Sequence, residues 1–342
     1  GKTKGCSMNR QWLLDHHPTG PATADCWRLE ESPTAEPGPG QILVRLRWLS
    51  MDPYMRGRIA PGANYAAGVQ PGQVMQGGGV GQVVKSNHPA WKEGDLAEAM
   101  GMGWQDYAVL TPDAPGSARV NRVPGGVPEQ ATLSWLGMPG LTAWIGLTEI
   151  GRPTPGETVV ISAASGAVGQ VAGQIAAAMG ALPVAIAGSE EKLAHCAGLG
   201  YAAGVNHRSK SLAEDLRNAC PDGVDVFFDN TGGVIHDTVL SQLATHARVI
   251  ICGRIAVVDK PADQDIGLRA SSRLIVTRAR VQGLIVFDWW HKREVAMDQL
   301  VRLWRDGKLY YREDVADGLE AAPEAFLRMM AGRNFGKQLV RL

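Results

Sequence analysis

The chain has 342 residues, too many for one compact core and suited to two domains of roughly 100–200 residues each, and its 34 Lys+Arg against 34 Asp+Glu remove any net pull toward nucleic acid or an anionic membrane. The 42 glycines follow no Gly-x-y period and the five cysteines contain no C-x-x-C, which excludes collagen, a disulfide framework and a zinc ribbon. No apolar stretch reaches the roughly 18 residues of a membrane span and no signal-peptide pattern opens the chain, so a soluble protein of the reducing cytoplasm is expected.

Residues 1–7, GKTKGCS, precede Met8, which reads as the natural start with those seven residues a remnant joined in front of it. From 8 to about 125 short β segments alternate with turns. NRQWLL begins the series, and QILVRLRWLS (41–50), GGGVGQVVKSN (77–87), GDLAEAM (94–100) and GWQDYAVL (103–110) continue it, with Pro-Gly pairs between them. An all-β barrel or sandwich follows from this texture.

From about 156 the period changes. ETVVISAA (157–164) is a continuous apolar run that suits a buried parallel strand, and QVAGQIAAAMG (170–180) reads as a helix closed by Gly180. Strand ALPVAIAG, helix SEEKLAHCAGLG capped by Ser189, strand AAGVNH and helix SLAEDLRNAC follow in turn. Strand GVDVFFDNTGG, helix IHDTVLSQL and strands ARVIICG and VQGLIV (281–286) complete the series. Such alternation predicts an α/β fold with a doubly wound parallel sheet. HKREVAMDQLVRLWRDG is then an amphipathic helix, and the tail ends in a strand, QLVRL, that returns to the β module.

Between the first strand of the α/β half and its helix stands Ala163-Ala164-Ser165-Gly166-Ala167-Val168-Gly169. It is a variant of the dinucleotide fingerprint with alanine at the first glycine. Gly166 lets the backbone approach a pyrophosphate, Gly169 allows helix and strand to pack closely, and the helix N-terminus favours the anion. At the end of the second strand an NAD site places a carboxylate on the ribose 2′-OH; here Gly188 stands there. The gap leaves room for a 2′-phosphate reached by Lys192, with His207 or Arg208 as partners, and favours NADP(H). Against this, Lys192 also reads as a solvated helix residue, and Glu190 and Glu191 stand beside it.

Hydride transfer to or from a carbonyl needs a group that stabilises the oxyanion, either a metal or a hydroxyl or cationic donor. Residues 8–150 hold no Cys/His set with zinc-ligand spacing; His16, His17 and His88 read as surface residues. No metal is therefore expected. Tyr54, in MDPYMRG, and Tyr65, in a Gly/Pro/Ala-rich loop, are the candidate hydroxyls. Tyr54 reads equally as a core-edge residue and Arg56 as a salt-bridge partner.

These residues resemble the medium-chain dehydrogenase/reductases, and within them the zinc-independent prostaglandin reductases (leukotriene B4 12-hydroxydehydrogenases), plant double-bond reductases and bacterial curcumin reductases. The motifs are SMDPYMRGR (50–58), MGWQDY (102–107), LGMPGLTAW (136–144), AASGAVGQVAGQIA (163–176), FDNTGG (228–233), ICGRI (251–255) and GRNFGKQLV (332–340). They span nearly the whole chain in family order. KSNHPAW and YYREDVADGLEAAPEAF bring it nearest the bacterial curcumin-reductase type.

The resemblance implies a GroES-like β domain over 8–135 and 293–342, with a Rossmann domain over 136–292 inserted in it, and a cofactor cleft between them. It also implies a homodimer and NADPH-dependent reduction of a carbon–carbon double bond conjugated to a carbonyl in a small-molecule enone. Gly166, Ala167, Val168 and Gly169 would hold the pyrophosphate and Lys192 the 2′-phosphate. Asn230, the segment from Cys252 and Gly253 to Val258, Leu284, Ile285, Val286 and Asn334 would line the rest of the cofactor. Tyr54 and Tyr65 match tyrosines that face the substrate. The chain departs from the prostaglandin reductases in having His207 beside the phosphate and Phe287 over the active site, where they carry tyrosines. A histidine there ties NADPH affinity to pH, and a phenylalanine moves any acid role to Tyr54, Tyr65 or water. Two rival readings use the same fold: an NADPH:quinone oxidoreductase, and an NADPH-binding protein without catalysis.

Overall fold

In the first half of the chain, side-chain alternation decides which strands become central. Ile42–Ser50 buries Ile42, Val44 and Leu46 and exposes Arg45 and Arg47, the period-2 pattern of a strand with one face on a core. The computed structural model describes residues 7–62 and 68–342; the leading segment 1–6 and the loop 63–67, with Tyr65, lie outside the described residues. Ile42–Ser50 pairs antiparallel with Gly79–Ser86, Tyr107–Leu110 and Lys337–Arg341. The main path of this sheet runs Glu313–Asp317, Lys337–Arg341, Ile42–Ser50, Gly79–Ser86, Leu96–Ala99, Asn121–Arg122, with Tyr107–Leu110 branching from Ile42–Ser50. The expected return of the C-terminal strand to the β module is present, with Leu339 opposite Ser50. Gly79 stands beside a register shift between Leu46 and Trp48; a Cβ there would lie 2.6 Å from the Trp48 carbonyl oxygen. Trp27, Trp104 and Phe326 pack ring to ring at 5.3–6.0 Å in the core below. Met8–Leu14 pairs separately with Trp27–Pro33. The second of these strands, WRLEESP, is mostly exposed or half-buried and shows no apolar period that marks it in the sequence.

In the second half, six strands lie in the order Ala203–Asn206, Leu182–Ala187, Thr158–Ile161, Val224–Asp229, Leu243–Ile251, Arg280–Gly283, every pair parallel. Numbered from Thr158–Ile161, the order is 3-2-1-4-5-6, that of the doubly wound dinucleotide-binding fold. Thr158–Ile161 is buried at all four positions, as its unbroken apolar run requires. The helix Ala167–Ala178 starts three residues before the sequence pattern, at the glycine turn, and Gly180 follows it at φ +82°. Ser189 caps Glu190–Gly198 by accepting from the Lys192 amide at 3.2 Å. Met138–Ile145 is a helix that no periodicity reveals, because all but its first residue are buried and it has no polar face.

The chain divides into two units. The first comprises the start of the chain to Leu133, Glu313–Asn334 and Gln338–Leu342; the second comprises Ser134–Arg312 and Phe335–Lys337. The helix Arg293–Arg305, placed with the β module by its sequence position, groups instead with the parallel sheet. Packing explains this: Trp304 stacks on Trp135 at 5.4 Å, and Trp144 donates to Gln299 at 2.8 Å.

Candidate functional site

The carboxyl edge of the parallel sheet carries most of the residues singled out in the sequence. At the centre is the glycine turn. Ala163, where the fingerprint has its first glycine, holds φ +48°. The left-handed conformation is kept although an alanine must adopt it, at roughly 1–2 kcal/mol. Gly166 begins the helix without any capping side chain, so the first-turn amides of Ala167, Val168 and Gly169 point outward along the helix axis. A Cβ on Gly169 would lie 2.3 Å from the Ala163 carbonyl oxygen, which is the close helix–strand approach expected of this glycine.

Three further residues pin this helix, and sequence reasoning missed them. Tyr201, a buried residue, donates to the Gly169 carbonyl at 2.8 Å, and its ring lies where a Cβ on Gly173 would be. Gln170 and Gln174 act as a side-chain ladder for the segment 310–312. Gln170 accepts from the Arg312 amide at 2.9 Å and donates to its carbonyl at 3.0 Å; Gln174 does the same for Tyr310 at 2.9 and 2.7 Å. Their signal was present: two glutamines four apart on an otherwise apolar helix.

Next to the turn, Asp229 ends the adjacent strand as a buried hub, 1% exposed. Its carboxylate accepts from Ser162 Oγ at 3.1 Å, from the amides of Thr231 and Gly232 at 2.9 and 3.0 Å, and from His236 Nδ1 at 2.7 Å. Burial alone would raise its pKa, but the hydrogen bonds from His236, Gly232 and Thr231 win and hold it below the ordinary value. The same contact, against burial, raises His236 above its ordinary 6.5. Asn230 is fixed from both ends: its amide donates to Ser162 Oγ at 2.8 Å and its Nδ2 to the Ser162 carbonyl at 2.9 Å. The amides of Cys252 and Gly253 donate to the Asp229 carbonyl, and Leu284 to Ile251. Asn230, Cys252, Gly253 and Leu284 thus follow the ends of three neighbouring strands. Beyond them Ile285 is 63% exposed while Val286 is buried.

On the other side of the turn lies a cationic corner. At Gly188 a Cβ would meet His207 Nε2 at 2.9 Å and Arg208 Nε at 3.4 Å, so no larger residue fits without displacing them. Burial, and then the charges of Arg208 and Lys192, lower the pKa of His207. Lys192, His207 and Arg208 therefore lie near the strand end at Gly188, which carries no carboxylate side chain.

Tyr54 and Asn334 belong to the first unit. Tyr54 precedes the short helix Met55–Arg58 and packs partly against the core, with Arg58 5.5 Å from its ring centroid. Burial, reinforced by Asp52, pushes its phenol well above the ordinary 10, so it stays protonated and able to donate at any physiological pH. Arg56 is buried and donates to the Gly20 carbonyl at 2.8 Å. Asn334 is half-buried, next to Phe335, whose ring lies 3.7 Å from the Arg312 guanidinium carbon. Phe287 packs against Trp290 at 5.2 Å. His16 is exposed, as expected, but ligand atoms of His16, Asp25 and Cys26 lie within 4.8 Å of one another. Chain folding brings them together although no sequence spacing announces them.

Two family models match the chain: the N-terminal domain of oxidoreductase over residues 10–117 and zinc-binding dehydrogenase over 167–302. The chain is 39% identical to the NADPH-dependent curcumin reductase of Escherichia coli (strain K12), over 98% of this chain and 97% of that protein. It is 37% identical to the NADP(+)-dependent 2-alkenal reductase of Nicotiana tabacum, over 89% and 88%. The crystal structure of CurA from Vibrio vulnificus in complex with NADPH superposes with a TM-score of 0.90 at 37% identity, covering 97% of this chain and 98% of that one. Quinone oxidoreductases share the fold alone; that of Escherichia coli, solved with NADPH, has a TM-score of 0.75 at 19% identity, over 97% of this chain and 100% of that one.

Proposed function

The chain belongs to the medium-chain dehydrogenase/reductases, in the branch of curcumin, 2-alkenal and prostaglandin reductases, and from this we propose that it reduces the carbon–carbon double bond of α,β-unsaturated ketones and aldehydes with NADPH. The carrying observation is the row along the sheet edge: an uncapped helix start, a glycine a side chain cannot replace, and a cationic corner around Gly188. These residues fit an anionic dinucleotide with a 2′-phosphate. Bound there, NADPH supplies the hydride that reaches the β-carbon.

The chain's own residues do the rest. The amides of Ala167, Val168 and Gly169 hold the pyrophosphate, with Gly166 leaving the backbone open to it. Lys192 and Arg208 neutralise the 2′-phosphate beside Gly188, joined by His207 when it is protonated. Asn230, held by Ser162, lines the cofactor with Cys252, Gly253, Leu284, Ile285 and Val286. Tyr54 and Tyr65 donate hydrogen bonds to the oxygen on which negative charge develops, because Phe287 carries no hydroxyl. This chemistry proceeds without zinc. The protein acts as a homodimer, a reading supported by the edge strand Arg280–Gly283, exposed along its length, and by the nearby exposed Ile275, Val276 and Ile285. The cytoplasm is its place; Cys26, Cys196, Cys220 and Cys252 are free thiols, and no described helix is long and apolar enough to cross a membrane.

NADPH absorbance followed with enones, enals, curcumin-like diketones and quinones tests the proposal. Turnover with the conjugated carbonyls supports it, turnover with quinones alone favours the quinone reductase, and no oxidation with any acceptor leaves only a binding protein. Tyr54→Phe lowers kcat by roughly 10²-fold where the hydroxyl serves as the acid.

A further inference from the structure

We propose that the loop joining Met8–Leu14 to Trp27–Pro33 binds one divalent cation of the zinc type through His16, Asp25 and Cys26, at a site separate from the reductase chemistry. The three ligand atoms lie within 4.8 Å of one another. In a tetrahedral zinc site with bonds of about 2.0–2.3 Å the ligands stand somewhat closer, so a modest side-chain rotation completes the set. His16 and Asp25 are exposed, and Asp25 accepts from Thr23 Oγ1 through one carboxylate oxygen and offers the other; Cys26 is buried and supplies the fixed anchor.

The backbone already holds these positions together. Leu14 pairs with Trp27 across the hairpin, and the Asp15 amide donates to the Cys26 carbonyl at 2.7 Å. Ligands from both stems of the loop therefore need no chain reorganisation to meet. Asp15 adds a supporting contact: its Oδ2 lies 2.9 Å from His16 Nδ1, while Arg28 occupies its Oδ1 at 3.0 Å. A carboxylate on one nitrogen of a metal-binding imidazole fixes the ring and strengthens the other nitrogen as a ligand. Thiolate, carboxylate and neutral imidazole give two negative charges against a 2+ ion, the thiol releasing its proton as the metal binds. A soft sulfur with nitrogen and one oxygen selects zinc or cobalt over magnesium or calcium. Water takes the fourth position.

The bound ion would brace the loop behind the Tyr54 turn. From that loop His17 Nδ1 lies 2.8 Å from the Ile59 carbonyl, and Arg56 reaches back to Gly20 at 2.8 Å.

The test uses the full chain, stripped with a chelator and titrated with Co²⁺. The expected result is one equivalent bound, with a thiolate-to-cobalt charge-transfer band that Zn²⁺ displaces and Cys26→Ser removes. Because Cys26 lies in the core, His16→Ala and Asp25→Asn serve as exposed substitutions. Each weakens binding by roughly tenfold or more while leaving the metal-free Tm unchanged, and Zn²⁺ raises Tm in the wild type but not in His16→Ala. No uptake, a charge-transfer band that survives in Cys26→Ser, or equal affinity in His16→Ala overturns the proposal.

Discussion

His236 and His207 both stand near the carboxyl edge of one parallel sheet, and their surroundings move their pKa values in opposite directions. His236 meets a buried carboxylate at 2.7 Å, and this contact outweighs its burial. His207 meets burial first and then the cations Arg208 and Lys192, which outweigh a backbone hydrogen bond and push it down. The first corner is electrically complete within the protein, so its role is to hold backbone: Asp229 ties Ser162, Thr231 and Gly232 into one loop. The second gathers cations beside Gly188, where an anion would be favoured. The one histidine is set by a carboxylate, the other by burial and like charges.

The largest test of this contrast is Asp229→Ala, which leaves several buried donors and His236 without their acceptor. A stability loss of about 3–5 kcal/mol is expected in denaturant unfolding. A loss below about 1 kcal/mol would show that the hub does not organise the loop. Lys192→Ala should instead spare stability and raise KM for NADPH by roughly 10–100-fold, the value of a charged hydrogen bond, with KM for NADH unchanged. An equal change for both cofactors would remove Lys192 as the selector.

His236→Asn sharpens the sign of the first corner. The raised folded pKa of His236 contributes stability present in full below about 6.5 and lost as pH rises through that raised value. The lowered value of Asp229 contributes stability above the ordinary carboxylate range, lost as pH falls through it. Wild-type stability should therefore decline on the alkaline side by about 1 kcal/mol, and a pH series of Tm in His236→Asn should lack that decline. The smallest effect is expected of His207→Asn. Since His207 is depressed, it charges only below its ordinary 6.5, and NADPH affinity in the wild type should rise a few-fold as pH falls through that window. The 2′-phosphate titrates near 6 and opposes the rise, so the variant is the necessary reference; identical profiles would deny His207 a part in phosphate binding.

Much of this edge was legible beforehand because local constraints are strict there. A buried parallel strand shows as an apolar run, a helix start after it as small residues, and an NADP-type corner as the missing carboxylate at Gly188. What could not be read came from partners distant in sequence. Tyr201 against Gly173, Gln170 with Arg312 and Asp229 with His236 are ordinary residues until the chain folds. The helix Arg293–Arg305 changed units for the same reason, since Trp135 and Trp304 find each other only in three dimensions.

By itself the sequence determined the two-part architecture, the parallel sheet and the family, because period, glycine placement and motif order are one-dimensional properties. Only the tertiary structure decided that Ala163 takes a glycine's conformation, that two histidines shift oppositely, and that His16, Asp25 and Cys26 converge. Each depends on distances across space, where burial and the sign of neighbouring charges are set.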